Sequence, residues 1–185
     1  MVCDNCPLRL FNDKGYNLKG IGESCYGNMA ILPNIDKDAY KNNDVSFSKQ
    51  LEIINDVLQV NLSTGVLQDT FYVTPLIKCR EHSKCIVDTQ IIYNCQNHLM
   101  NEIRMYNPRH IMMFGSSVRR LTDKPIESLI GKLLVSRNNR IYYFNYNPFI
   151  VFTDVEKQQV FTNELIKAFY SITNKDYTGY EIYKI

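Results

Sequence analysis

Long apolar runs are missing from this chain of 185 residues, and so is any surplus of charge of one sign. No stretch approaches the roughly 20 apolar residues that a membrane-spanning helix needs. The first residues, MVCDNCPLRL, lack the apolar core of a secretory signal. With 21 Lys and Arg against 19 Asp and Glu, the net charge is only +2. That excludes a histone-like, wholly electrostatic grip on nucleic acid and leaves room for a local basic groove. Linkers rich in Pro, Gly or Ser, low-complexity tracts and internal repeats are also lacking, so residues 1–185 read as one domain. A soluble, intracellular protein of the cytoplasm is expected.

What is present is an ordinary globular composition, 45% hydrophobic and 22% charged. A chain of this size buries roughly 70% of its unfolded surface, so it needs no cross-links to compensate for a small core. The six cysteines therefore call for another explanation. In a reducing compartment, cysteines spaced in pairs are more often metal or cluster ligands than disulfides.

Apolar periodicity sets the order of elements. Residues 18–22 read as a short strand running into a turn, and the polar stretch 28–44 as a long loop. Phe47, Leu51, Ile54, Val57 and Leu58 fall three or four apart and predict a helix over residues 46–60. The run FYVTPLI (71–77) is a buried strand by composition. Ile91, Ile92, Cys95, Leu99, Ile103 and Met105 predict a second helix that stops before Pro108. HIMMF (110–114), ended by Gly115, reads as a central strand buried on both faces, and Ser116 and Ser117 can cap a helix carrying Val118 and Leu121. RIYYFNY (140–146) is a further strand and residues 155–172 a further helix. Strands alternating with helices imply an α/β three-layer sandwich, a mostly parallel central sheet flanked by helices. Ligands of such sheets sit at the carboxyl ends of the strands.

Cys3 and Cys6 form a C-x-x-C pair, and Cys79 and Cys95 stand sixteen apart around an irregular segment. Four thiolates can hold a 4Fe-4S cluster or a zinc ion. The alternative is that these are small buried apolar residues, which suits a pair in the polar segment CDNC poorly.

Taken together, CDNC, the segment YVTPLIKCRE, Cys95 and the segment PRHIMMFG (108–115) resemble the iron–sulfur (family 4) branch of the uracil-DNA glycosylase superfamily, over nearly the whole chain. That family has an N-terminal C-x-x-C, a motif of the form YxTNxVKCRP, a fourth cysteine sixteen residues after the third, and a strand of the form PxxIxxLG. The resemblance implies a uracil-DNA glycosylase-like fold and a 4Fe-4S cluster held by Cys3, Cys6, Cys79 and Cys95. The competing assignment is zinc held by Cys3, Cys6, Cys79 and Cys85.

Such enzymes extrude a base, read its polar edge, stack its face on an aromatic ring and stabilise charge as the glycosidic bond breaks. The family motif GEAPG finds a partial match in GIGESCYGN, which offers Gly22 and Glu23; a simple strand-to-loop turn accounts for the same residues. The motif GxPFVG, source of the stacking ring, is nearest to VSFSKQ and implies Phe47, although Phe47 also fits the apolar face of the following helix. Tyr26 is an alternative ring. Two departures stand out: Pro75 replaces the base-reading Asn, and Asn147 stands where the family has the His of its HPS motif. Proline offers no side-chain hydrogen bond, and asparagine can donate one but carries no positive charge. None of His82, His98 and His110 follows a predicted strand at its carboxyl end, so none is read as a general base.

Basic residues, Arg119 and Arg120 among them, imply either a solvated face or a groove for phosphates, with Ser116 nearby and Phe149 or Ile150 as an apolar wedge. The expected function is a DNA-binding, glycosylase-like iron–sulfur protein with weakened or lost uracil excision, an accessory factor in replication, repair or transcription. Its partners would be single- or double-stranded DNA and a replication or transcription protein. The alternative is an active DNA base glycosylase of altered base specificity, with Glu23 and Asn147 as its polar catalytic groups.

Overall fold

In the computed structural model, which describes residues 6–8, 18–23, 26–63, 65–79 and 89–184, the chain is built on a six-stranded sheet. The elements run β1 (Asn28–Leu32), α1 (Lys37–Asn42), α2 (Lys49–Leu62), β2 (Tyr72–Pro75), α3 (Thr89–Tyr106), β3 (His110–Phe114), β4 (Lys132–Val135), β5 (Ile141–Asn145), α4 (Val155–Asn174) and β6 (Glu181–Lys184). The strands lie in the order β2-β1-β3-β5-β4-β6. All neighbours are parallel except β4, which runs antiparallel to β5.

Strand alternation divides the core in two. Ala30, Leu32, Met112, Phe114, Ile141 and Tyr143 join Leu51, Ile54 and Leu58 of α2 and Phe161, Leu165 and Phe169 of α4. The opposite set, Met29, Ile31, Ile111, Met113, Tyr142 and Phe144, joins Ile91, Leu99 and Ile103 of α3. Every residue of β1, β3 and β5 is buried because helices cover both faces of the sheet. This is the α/β three-layer sandwich that the alternation of elements predicts.

Two local expectations are corrected. Residues 18–22 form no strand: Ile21 makes an isolated antiparallel bridge to Val73, and the first strand is β1, inside the stretch read as a loop. The segment after Gly115 is a 3-10 turn, Gly115–Arg120, rather than an α-helix. Sequence reading also missed α1, β4 and β6. Asp36 starts α1 by accepting a hydrogen bond from Ala39 N at 3.0 Å, an N-cap set in a segment with no apolar periodicity.

The crossovers decide where a ligand can sit. From β1 the chain passes through α1 and α2 to β2 on one side, and from β2 through α3 to β3 on the other. The connections that leave β1 and β3 therefore run in opposite directions, which opens a crevice between their carboxyl ends. Among the described residues, no helix is long and apolar enough to cross a membrane.

Candidate functional site

The loop leaving β1 is held by one carboxylate and one carboxamide. Asp36 accepts from Ser48 Oγ at 2.7 Å and Gln50 N at 3.4 Å as well as from Ala39 N. Gln50 is fully buried and donates through Nε2 to Asn34 Oδ1 at 2.9 Å and Asn34 O at 3.2 Å, while its Oε1 has no partner among the described residues. These bonds fix the 3-10 turn Val45–Phe47 beside the sheet end, and Phe47 stands 55% exposed on it rather than inside the apolar face of α2.

Next to this loop, the turns after β3 and β5 touch. Gly115 has φ +53°, and a Cβ there would stand 2.9 Å from Asn147 Cβ, 3.1 Å from its Cα and 3.2 Å from its N. Only glycine lets the two loops approach so closely. Asn147 Oδ1 accepts from Phe149 N at 3.0 Å and caps the 3-10 turn Pro148–Phe152, so the amide nitrogen is the group the cap leaves for donation. Ser116 is exposed, whereas Ser117 is fully buried with no partner for its Oγ among the described residues. The backbone of Arg119 and Arg120 continues this turn, and their side chains lie outside what is described.

Phe149 and Ile150 are half-buried against the α2/α4 core, and the apolar residue that projects from this loop is Phe152, 68% exposed.

Pro75 lies at the end of β2 opposite Leu32. The next residue donates the pairing bond, Leu76 N to Leu32 O at 2.8 Å, so the missing amide of Pro75 faces away from β1, towards the side on which Ile21 bridges Val73, and costs no bond of the β1–β2 ladder.

Three expected site residues lie at the other end of the molecule. Gly22 (φ +99°) packs on Phe71 O and Gln68 O, Glu23 N donates to Gln68 O at 2.9 Å, and Tyr26 precedes β1 with 62% exposure. All three sit at the amino ends of β1 and β2. Ser116 and Asn147 stand on the turns at the carboxyl ends of β3 and β5, Phe47 lines a separate cleft with Asp38, Lys41 and Glu52 of α1 and α2, and Gly22, Glu23 and Tyr26 lie at the opposite end of the sheet. The residues that follow β1 at its carboxyl end are Pro33, Asn34, Ile35 and Asp36, which sequence reading missed. The signal was the short apolar run Met29–Leu32 between Gly27 and Pro33.

Cys6, Cys79 and Cys95 are buried members of one apolar cluster with α3. Cys3, Cys85, Arg80, His82 and Lys84 lie outside the described residues. Among those described, no three His, Cys, Asp or Glu side chains are grouped to hold a metal. Directly before Cys79, Lys78 is 2% exposed and pairs with Glu102 Oε2 at 2.6 Å, and it also donates to Thr74 Oγ1. Thr74 Oγ1 and Tyr72 OH complete the coordination of Glu102 at 2.8 and 3.2 Å. Burial pushes the Lys78 ammonium below its ordinary value, while the Glu102 carboxylate and, more weakly, Cys95 draw it back up. Cys79 follows Lys78 directly and Cys95 acts on it electrostatically, and thiols are donors of the kind that zinc or an iron–sulfur cluster takes.

His110 is buried at the start of β3, with Nδ1 3.1 Å from Asn28 Oδ1 and Nε2 3.1 Å from Tyr177 OH. Burial, then the charges of Arg109 and Lys175, press its pKa down to about 4. It is a packing histidine, remote from the crevice.

The fold thus defines an α/β sandwich with a polar crevice at its switch point and three cysteines buried in the apolar layer beneath α3. Against known protein families and curated proteins, the chain matches none at significant similarity.

Proposed function

We propose that this chain is a uracil-DNA glycosylase-like iron–sulfur protein that binds DNA at the crevice between β1, β3 and β5, with uracil excision weakened or lost. The observation that carries the reading is the seam between Gly115 and Asn147. The two motif turns meet at the switch point, and the group that stands there is a neutral carboxamide already engaged as a cap. A developing negative charge on a leaving base would find one neutral donor in place of a cation. Losing an electrostatic donor of this kind costs on the order of 10²–10³ in rate. Phe47 would supply the stacking ring, Ser116 and the basic turn after it the phosphate contacts, and Phe152 the apolar group on the DNA side.

Cys3, Cys6, Cys79 and Cys95 would hold the 4Fe-4S cluster, with zinc the alternative occupant. Bound there, the cluster would tie the N-terminal segment to the β2–α3 connection and so brace the loop beside the crevice. Lys78 and Glu102 support that site as a buried pair beneath it. A second reading, a glycosylase of altered base specificity, draws on Asn34 and Gln50. They bring two carboxamides to the end of β1, just past Leu32, the register partner of Pro75.

Oligonucleotides carrying uracil and other modified bases, single-stranded and duplex, test both readings. DNA retention without abasic-site formation is the expected result. Abasic sites formed at a modified base other than uracil would establish the second reading, and the absence of both DNA binding and cleavage would refute the two together.

A further inference from the structure

A second polar cleft lies at the opposite end of the sheet, at the amino ends of β3 and β5, and it plays no part in the reading above. It is an open cleft of about 500 Å³ lined by Asn107, Arg109, Asn138, Asn139 and Arg140, with Pro108, Val135 and Ile141 as its apolar floor. Among the described residues, no carboxylate lines it.

The hydrogen bonds around it use up acceptors and leave donors. Asn107 Oδ1 accepts from Arg140 Nη2 at 3.1 Å, and Asn138 Oδ1 accepts from Ser136 Oγ at 2.6 Å. Each carboxamide oxygen is thus satisfied within the protein, and the NH2 of each remains as a donor. Arg140 is anchored across the cleft by that bond to Asn107, yet its Nε is buried without a partner among the described residues. A guanidinium held in one orientation by that bond presents its remaining Nη N–H groups, and these are matched by an oxygen of a planar or tetrahedral anion.

The backbone is shaped to this arrangement. Asn107 (φ 42°) and Asn139 (φ 60°) both occupy the left-handed region. Asn tolerates that conformation better than most residues but still at a cost, so the two turns that form the cleft are held by their surroundings. Ser136 organises the second turn, accepting from Arg140 N at 3.2 Å while its own amide donates to Arg140 O at 2.9 Å. Arg109 is exposed beside it and, like Arg140, makes no ion pair among the described residues. The local field is positive enough that Arg109 and Lys175 both disfavour a proton on the neighbouring His110.

We infer that this cleft is a binding site for a phosphate oxyanion, held by Arg109, Arg140 and the amide NH2 groups of Asn107 and Asn138. Two sources share that chemistry: a free phosphate or phosphomonoester, and a phosphodiester of a nucleic acid strand.

The test is a titration of the full chain with inorganic phosphate, followed by backbone amide shifts, against sodium chloride at matched ionic strength. Saturable shifts confined to residues 107–109 and 136–141 are expected with phosphate and not with chloride. Arg109→Ala removes an exposed side chain without disturbing a described hydrogen bond and should weaken phosphate binding about tenfold, as loss of a charge-assisted contact does. Arg140→Lys keeps the charge and loses the fork, and should weaken it as well. Equal, unsaturable shifts with the two salts, or unchanged affinity in both variants, would overturn the proposal. A short single-stranded oligonucleotide then separates the sources. Displacement of phosphate from these residues identifies a nucleic acid phosphodiester, and undisturbed phosphate binding identifies the free anion.

Discussion

Replacing Gly115 by alanine probes the contact on which the crevice depends, and Gly131 supplies the control. Both glycines have positive φ, +53° and +77°, but a Cβ at Gly131 would meet nothing within 4 Å whereas one at Gly115 would meet Asn147 at 2.9 Å. An L-residue in the left-handed region costs about 1–2 kcal/mol, a cost shared by both substitutions. Carbon atoms prefer about 3.5–4.0 Å. At position 115 the added methyl is therefore too close to backbone as well as side chain, and the turn after β5 must move. Overpacking of this type adds about 1–3 kcal/mol. In a chain of this size each kcal/mol lowers Tm by about 2–4 °C, so Gly115→Ala should melt roughly 2–12 °C below Gly131→Ala. Thermal unfolding followed by circular dichroism at one protein concentration reads the difference. Equal melting temperatures would show that Asn147 yields freely and that the seam imposes no geometry on the site.

Other outcomes follow from buried charge and from the cysteines. Lys78→Met strands the Glu102 carboxylate in the core and should cost about 3–5 kcal/mol, whereas Lys78→Met with Glu102→Gln should recover much of that; urea unfolding of the two variants checks it. His110 has a folded pKa of about 4 against an ordinary value of 6.5. Above pH 6.5 neither state binds a proton there; as pH falls from 6.5 towards 4 only the unfolded chain does, so stability drops by up to roughly 3 kcal/mol and then levels off. His110→Asn should flatten that window in unfolding curves taken across it. Cys79→Ala should abolish the visible absorption and the iron content of the purified protein while Cys85→Ala should not; a colourless protein with stoichiometric zinc would contradict the cluster assignment.

The sequence made the layers legible because the buried strands and amphipathic helices carry strong periodic signals. HIMMF and the apolar stripes of α2, α3 and α4 fall where expected. The carboxyl end of β1 was not legible. Its strand is five residues long, the polar residues that follow it read as one loop, and a glycine turn upstream drew the assignment of Gly22 and Glu23 to the amino ends of β1 and β2. The roles of Asp36 and Gln50 depend on contacts 12 and 16 residues away, to Ser48 and Asn34, which no local pattern encodes. Phe149 and Ile150 sit in an apolar run whose burial depends on how it packs against α2 and α4, so Phe152 could not be singled out in advance.

Uracil excision, measured on a uracil-bearing oligonucleotide by alkaline cleavage of the abasic product, tests the central claim most directly. The unaltered protein should bind the strand and leave the base in place. Pro75→Asn with Asn147→His, placing a base-reading amide at the end of β2 and a protonatable donor at the Gly115 seam, should produce abasic sites. Brisk excision by the unaltered protein would contradict the account, because the group described at that seam, Asn147, is a neutral carboxamide.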